Sequence, residues 1–161
     1  MVKIKNFVAP AGAAAIAFAM IIGTAASASA TNNIKPFGVQ ETLKEAGGAV
    51  EIGYTVDGLS PSTDMVPYPV NGQLYEARVT VDGVAGWVNP VIGNFNARAL
   101  SGDNYRVLTV VTPDGLSPAP VPPGGQSSGK LYFDVVGDVP NSVVYNDGFT
   151  DLLAWVDVSG R

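Results

Sequence analysis

Gly124-Gly-Gln-Ser-Ser-Gly-Lys-Leu-Tyr-Phe-Asp-Val-Val-Gly137 is a run bounded by glycine at both ends. Leu131, Phe133 and Val135 alternate with Lys130, Tyr132 and Asp134. That period of two belongs to a half-buried β-strand, because successive side chains point to opposite faces of a sheet. Phe133 is therefore expected on the core face, with Tyr132 opposite it, exposed or packed under a second layer. Truncating Phe133 to alanine is expected to cost about 3–5 kcal/mol, and truncating Tyr132 distinctly less.

The same plan recurs outward along the chain. Ala49–Val56 alternates Val50, Ile52, Tyr54 and Val56 with polar or small residues, and Asp57-Gly58 stops it. Gln73–Val81 sets Tyr75, Ala77, Val79 and Val81 against Leu74, Glu76, Arg78 and Thr80, and Asp82-Gly83 reads as a turn. Short strands follow at Val84–Val88, Pro90–Arg98, Tyr105–Val111, Ser142–Asn146 and Leu152–Val158. Val39–Ala46 reads as an edge strand cut short by Gly47-Gly48, and Thr31–Gly38 as a lead-in anchored by Ile34 and Phe37. Two proline-rich stretches, Ser60–Gly72 and Thr112–Gln126, read as extended loops, since proline has no backbone donor for a ladder. Seven to nine short strands without a long helix predict an all-β, antiparallel sandwich or barrel. No internal repeat points to a solenoid or propeller.

Residues 1–30 form a separate unit. Lys3 and Lys5 precede the apolar run Ala13–Ala26, and Ala28-Ser29-Ala30 offers a small-x-small cleavage site, the pattern of a signal peptide. Cleavage after Ala30, or alternatively Ala28, leaves a single domain over residues 31–161 with no stable membrane anchor. Of 9 basic and 14 acidic residues, only Lys3 and Lys5 leave with the signal, so the exported domain carries a formal charge of −7. That balance disfavours nucleic acid and anionic lipid as partners. The chain has no cysteine, so a single hydrophobic core must hold the domain without disulfides.

The sequence also contains no histidine, which excludes a Ser-His-Asp or Cys-His nucleophile and any zinc site built on His or Cys. Ser127-Ser-Gly-Lys130 has Ser-x-x-Lys spacing, but an offset of three on a strand sends the two side chains to opposite faces. Four Asp-Gly pairs, at Asp57, Asp82, Asp114 and Asp147, are spread singly between strands and read as turns. Asp147 with Asp151 is the one close acidic pair at a turn that could take calcium. Glu76 and Arg78 share a strand face at a spacing suited to a surface ion pair. No catalytic, cofactor-binding or metal-binding residue is assigned, and no cofactor is expected. The reading favoured by the residues is a non-enzymatic, secreted binding protein with a protein or envelope partner. A carrier of a small apolar ligand between the sheets, with Trp87 or Trp155 lining its cleft, is the alternative. A carboxylate-based hydrolase stands last and would need two acidic residues converging in one pocket.

Several blocks resemble a known family. They are Tyr68-Pro69-Val70 with Gly72-Gln73 and Glu76-Ala77, then Phe95-Asn96-Ala97-Arg98 and Asn104-Tyr105-Arg106-Val107-Leu108. Gly125-Gln126-Ser127, Gly129-Lys130, Tyr132-Phe133-Asp134-Val135, and Asp151-Leu152-Leu153 with Trp155 continue in order. Together they resemble the small secreted mycobacterial immunogenic proteins of the MPT-sixty-three type, over Ala49 to Trp155. The segment before Ala49 matches poorly, and Val156–Arg161 extends past the family's usual end. The resemblance implies an immunoglobulin-like antiparallel sandwich, export from an actinobacterium and antigenicity. It implies no active site.

Overall fold

The computed structural model describes residues 33–109 and 111–159. The expected signal peptide over residues 1–30 lies outside the described residues. Among those described, the chain forms ten strands: β1 (Ile34–Pro36), β2 (Glu41–Glu45), β3 (Val50–Val56), β4 (Ser60–Pro61), β5 (Gln73–Ala85), β6 (Phe95–Ala99), β7 (Asn104–Arg106), β8 (Gln126–Val135), β9 (Pro140–Asn146) and β10 (Asp151–Val156). No described helix is long and apolar enough to cross a membrane.

The strands build two sheets, ordered β1-β10-β9-β6-β7 and β2-β3-β5-β8, with β4 continuing along the β3 edge of β5. All pairings are antiparallel except β1 with β10. This is the expected immunoglobulin-like sandwich. The strands not expected from the sequence are β1 and β4, three and two residues long. Runs that short cannot show alternation.

Alternation decides what is buried. Tyr75, Ala77, Val79 and Val81 of β5 and Leu131, Phe133 and Val135 of β8 face inward from one sheet. Phe95, Ala97, Val143, Tyr145, Leu153 and Trp155 meet them from the other. Phe95 lies edge-on to Tyr54 and Tyr145, with ring centroids 5.4 and 5.0 Å away. Such contacts add to the area buried by each ring.

Edge strand β2, as expected, pairs only with β3, and it ties the two sheets together at the rim. Trp155 Nε1 donates to the Val39 carbonyl at 2.8 Å, and the Ala154 amide donates to Glu41 Oε1 at 3.3 Å. Glu41 is consequently buried.

Two of the departures from the sequence reading shape the site. Asp82-Gly83 is not a turn; β5 runs straight through it to Ala85. Gly83 is there because backbone passes close by: a Cβ would meet the Pro122 carbonyl oxygen at 2.2 Å. The Gly83 amide donates to Gly125 O at 2.9 Å, and the Gly124 amide donates to Gly83 O at 2.7 Å. The expected strand Tyr105–Val111 is also shorter. After β7 the chain leaves its sheet and crosses to β8, where Val107 bridges Phe133 and the Leu108 amide donates to Tyr132 O at 2.8 Å.

Candidate functional site

That crossing creates a cavity. Beyond Leu108 the proline-rich segment runs beside the outer edge of β8. The Lys130 amide donates to Asp114 O at 2.7 Å, and the Leu116 amide donates to Lys130 O at 3.0 Å. Gly129 permits this approach, since a Cβ there would lie 2.4 Å from the Leu116 nitrogen. The long loop expected at Thr112–Gln126 is thus partly stitched to the sandwich, with Leu116 and Val121 buried. The 3-10 turn Ile92–Asn94 leads into β6. Between it, the crossing segment and β8 lies a cavity of about 650 Å³. Val91, Ile92, Val107, Leu108, Leu116 and Leu131 are among its apolar lining, and Lys130 and Tyr132 reach it from the outward face of β8. Its size falls within the range of small-molecule sites, roughly 300–1,000 Å³.

Lys130 and Tyr132 are the titratable groups in this wall, and both are committed. Lys130 Nζ donates to Asp64 Oδ2 at 2.7 Å and to Glu76 Oε2 at 3.0 Å. Tyr132 Oη donates to Asp64 Oδ2 at 2.7 Å, and Ser62 Oγ donates to Glu76 Oε2 at 2.5 Å. Hydrogen bonds to Asp64 and Glu76 hold the Lys130 ammonium well above its ordinary range. Burial, reinforced by the bond to Asp64, pushes the Tyr132 phenol up to about 12. Bonds from Lys130 and Tyr132 keep the Asp64 carboxyl below its usual value. The cluster is therefore one cation between two anions.

Several sequence expectations change here. Glu76 pairs with Lys130 on the neighbouring strand rather than with Arg78. Of the two settings expected for Tyr132, the structure has the second: it is 3% exposed, packed under a covering layer, so β8 is buried on both faces over this length. Ser127 and Lys130 do fall on opposite faces of β8, as an offset of three requires. Neither tryptophan lines the cavity: Trp155 is enclosed in the core and Trp87 is 63% exposed. The cavity also lies at the edge of β8 rather than between the sheets.

Asp147 and Asp151 do not converge as a calcium site. Asp147 Oδ1 accepts from the Phe149 and Thr150 amides at 2.9 and 2.7 Å, closing its own turn. Asp151 takes both guanidinium nitrogens of Arg98 at 2.6 and 2.7 Å, and Asn146 Nδ2 at 2.6 Å. Arg98 keeps the Asp151 carboxyl below its usual range. No group of three or more acidic residues able to hold a metal occurs among the described residues. A second, polar cavity of about 360 Å³ lies on the outer face of β6 and β7, between Asn96, Arg98, Asn104, Arg106 and Asn146. Its wall holds one carboxylate, Asp147, and the apolar cavity's wall holds none. Neither provides the acid pair that a carboxylate hydrolase needs.

The sequence matches, over residues 32–155, the family described as a domain of unknown function, DUF1942. Immunogenic protein MPB63 of Mycobacterium bovis and immunogenic protein MPT63 of Mycobacterium tuberculosis are each 46% identical over 120 residues, 73% of this chain and 76% of theirs. The 1.5 Å crystal structure of MPT63, a secreted protein from Mycobacterium tuberculosis, superposes with a TM-score of 0.75 at 44% identity. That superposition covers 80% of this chain and 99% of the other. The family match reaches back to residue 32, well before Ala49, so β1 and β2 belong to the shared domain. With the sandwich and the sequence in agreement over nearly the whole described chain, this protein belongs to the DUF1942 family, together with MPT63 and MPB63.

Proposed function

We propose that this protein is a secreted, non-enzymatic binding module that takes a small apolar molecule into the cavity beside β8. The observation that carries this reading is a built, mostly apolar hollow of about 650 Å³ beside the core strand β8. The lack of histidine and cysteine in the sequence, and the commitment of Asp64, Glu76 and Asp151 to ion pairs, support a role without catalysis. Kinship with a secreted mycobacterial protein supports work outside the cell.

Nile red, a neutral apolar dye, tests the reading. The purified protein is expected to hold it saturably, with an enhanced and blue-shifted emission. Gly93 lines the cavity, and a Cβ added there meets nothing within 4 Å. Gly93→Trp should therefore fold normally, block the mouth and abolish the signal. Wild-type protein that gives no saturable enhancement, or a Gly93→Trp variant that binds unchanged, would overturn the reading.

A protein or envelope partner is the second reading. Phe149 favours it, because it is 97% exposed at the tip of a turn braced by Asn146 and Asp147. Pull-down from envelope extract and host-cell lysate, with Phe149→Ser as the control, tests it; equal capture by both proteins counts against this surface.

A further inference from the structure

We propose that the polar cavity on the outer face of β6 and β7 is a second binding site, and that it takes a neutral saccharide. It shares Gly93 alone with the lining of the apolar cavity, so each can be filled without the other. Its frame is fixed before any ligand arrives. Asp151 takes two guanidinium nitrogens of Arg98 at 2.6 and 2.7 Å, and Arg98 Nε donates to Asn104 Oδ1 at 3.4 Å. Asn146 is held at both ends of its amide: Nδ2 donates to Asp151 at 2.6 Å, and Oδ1 accepts from the Gly148 amide at 2.7 Å. Asn96 lines the cavity yet is only 8% exposed, and its Nδ2 donates to the Asn94 carbonyl at 3.2 Å. Side chains held in this way have little freedom left to lose on binding.

What those bonds leave over sets the ligand. Asn96 Oδ1 is an acceptor without a donor among the described residues. Asn104 Nδ2 and the Arg106 guanidinium are donors without a partner among the described residues. Asp147 uses Oδ1 for its own turn and keeps its second oxygen. The wall therefore mixes donors with acceptors, and a cation with a carboxylate, rather than presenting one kind. An anion only accepts, and would meet Asp147 and Asn96 Oδ1. An ammonium only donates, and would meet Arg98 and Arg106. An apolar molecule would leave all of these groups unpaired. A sugar hydroxyl donates and accepts at once, so a ring carrying several of them satisfies both kinds. Sugar rings also present a face of C–H groups, which the electron-rich face of an aromatic ring attracts. Phe149, 97% exposed, directly follows Gly148 of the wall and supplies such a ring at its border. The volume, about 360 Å³, lies at the small end of the roughly 300–1,000 Å³ of ligand sites and suits a short saccharide.

Saturation-transfer NMR titrations test this with three neutral trisaccharides, maltotriose, cellotriose and mannotriose. Trigalacturonate serves as the charged counterpart at about pH 7, where its carboxyls are ionised. At least one neutral trisaccharide should bind saturably, with a Kd of about 10 mM or tighter, and more tightly than trigalacturonate. Arg106→Ala and Asn96→Val should each weaken that binding at least about fivefold, since each removes a group the hydroxyls would pair with. Arg106 is exposed on the short strand β7, so its truncation should leave the urea midpoint unchanged. Asn104→Ala, also exposed, serves if Asn96→Val does not fold. The proposal is overturned if none of the three sugars binds saturably, or if trigalacturonate binds as tightly as they do, which would mark an anion site at Arg106. It also falls if folded Arg106→Ala and Asn104→Ala bind as wild type does, or if the sugar displaces bound Nile red and so lies in the apolar cavity instead.

Discussion

Glu41 is a carboxyl placed where its charge is costly, and Glu41→Gln measures that cost. The side chain is 5% exposed, at the rim where β2 meets β10. Burial is the largest influence and pushes its pKa from an ordinary 4.5 up to about 7; the Ala154 amide and the charge of Lys35 pull the other way and lose. The sign follows from which state holds the proton. Below about pH 4.5 folded and unfolded chains are both protonated and Glu41 contributes nothing. Between 4.5 and about 7 the unfolded chain releases a proton that the folded one keeps, so stability falls as pH rises. Above about 7 the full penalty is present. At about 1.4 kcal/mol for each pH unit between the two values, it comes to about 3 kcal/mol. Glutamine keeps an oxygen for the Ala154 amide and cannot ionise. Urea denaturation of both proteins at several pH values isolates this one group, because every other titration is shared. The variant is expected to be more stable by about 2–3 kcal/mol at pH 8, and to match wild type within about 0.5 kcal/mol near pH 4.5. A pH-independent difference, or a variant weaker at pH 8, would refute the reasoning.

Further expectations follow from the core and its rim. Phe133→Ala should lose about 3–5 kcal/mol in urea melts, since the ring has no exposure and no disulfide backs the core. Tyr132→Ala should lose a comparable amount, because both faces of β8 are covered, whereas Tyr132→Phe should lose only about 1 kcal/mol, Asp64 keeping Lys130. Tyr54→Phe should be neutral or stabilising by up to about 1 kcal/mol, because the Tyr54 hydroxyl is buried with no hydrogen-bond partner among the described residues. Arg98→Ala should cost about 1 kcal/mol at neutral pH, discounted for the partial exposure of both partners. That loss should vanish as pH falls through the lowered Asp151 pKa and its carboxylate is protonated, which a pH series of thermal melts would register.

What could be read from the sequence is what local alternation encodes. The faces of β3, β5 and β8 follow from a period of two, because a sheet residue's direction depends only on its place along its own strand. Asp82-Gly83 defeats the same logic. A glycine that admits a neighbouring backbone and a glycine that turns the chain look identical in sequence, and only Pro122, some forty residues later, tells them apart. Lys130 shows the limit most clearly. Alternation places it opposite Leu131, on a face that alternation alone leaves either wet or covered. Its partners, however, lie 54 and 66 residues away, on another strand and in a proline-rich loop. One faint signal of the covering layer was present: Leu116 and Val121, two apolar residues inside a stretch with five prolines, have no reason to be there unless they pack on something. Leu116 packs beside β8 and lines the cavity, while Val121 pairs with Val88. The chemistry of this site is therefore made by the crossing after Arg106, which brings Pro90–Gly93, Val107–Thr109, Val111–Pro118 and Lys130–Tyr132 together, and no single segment carries it.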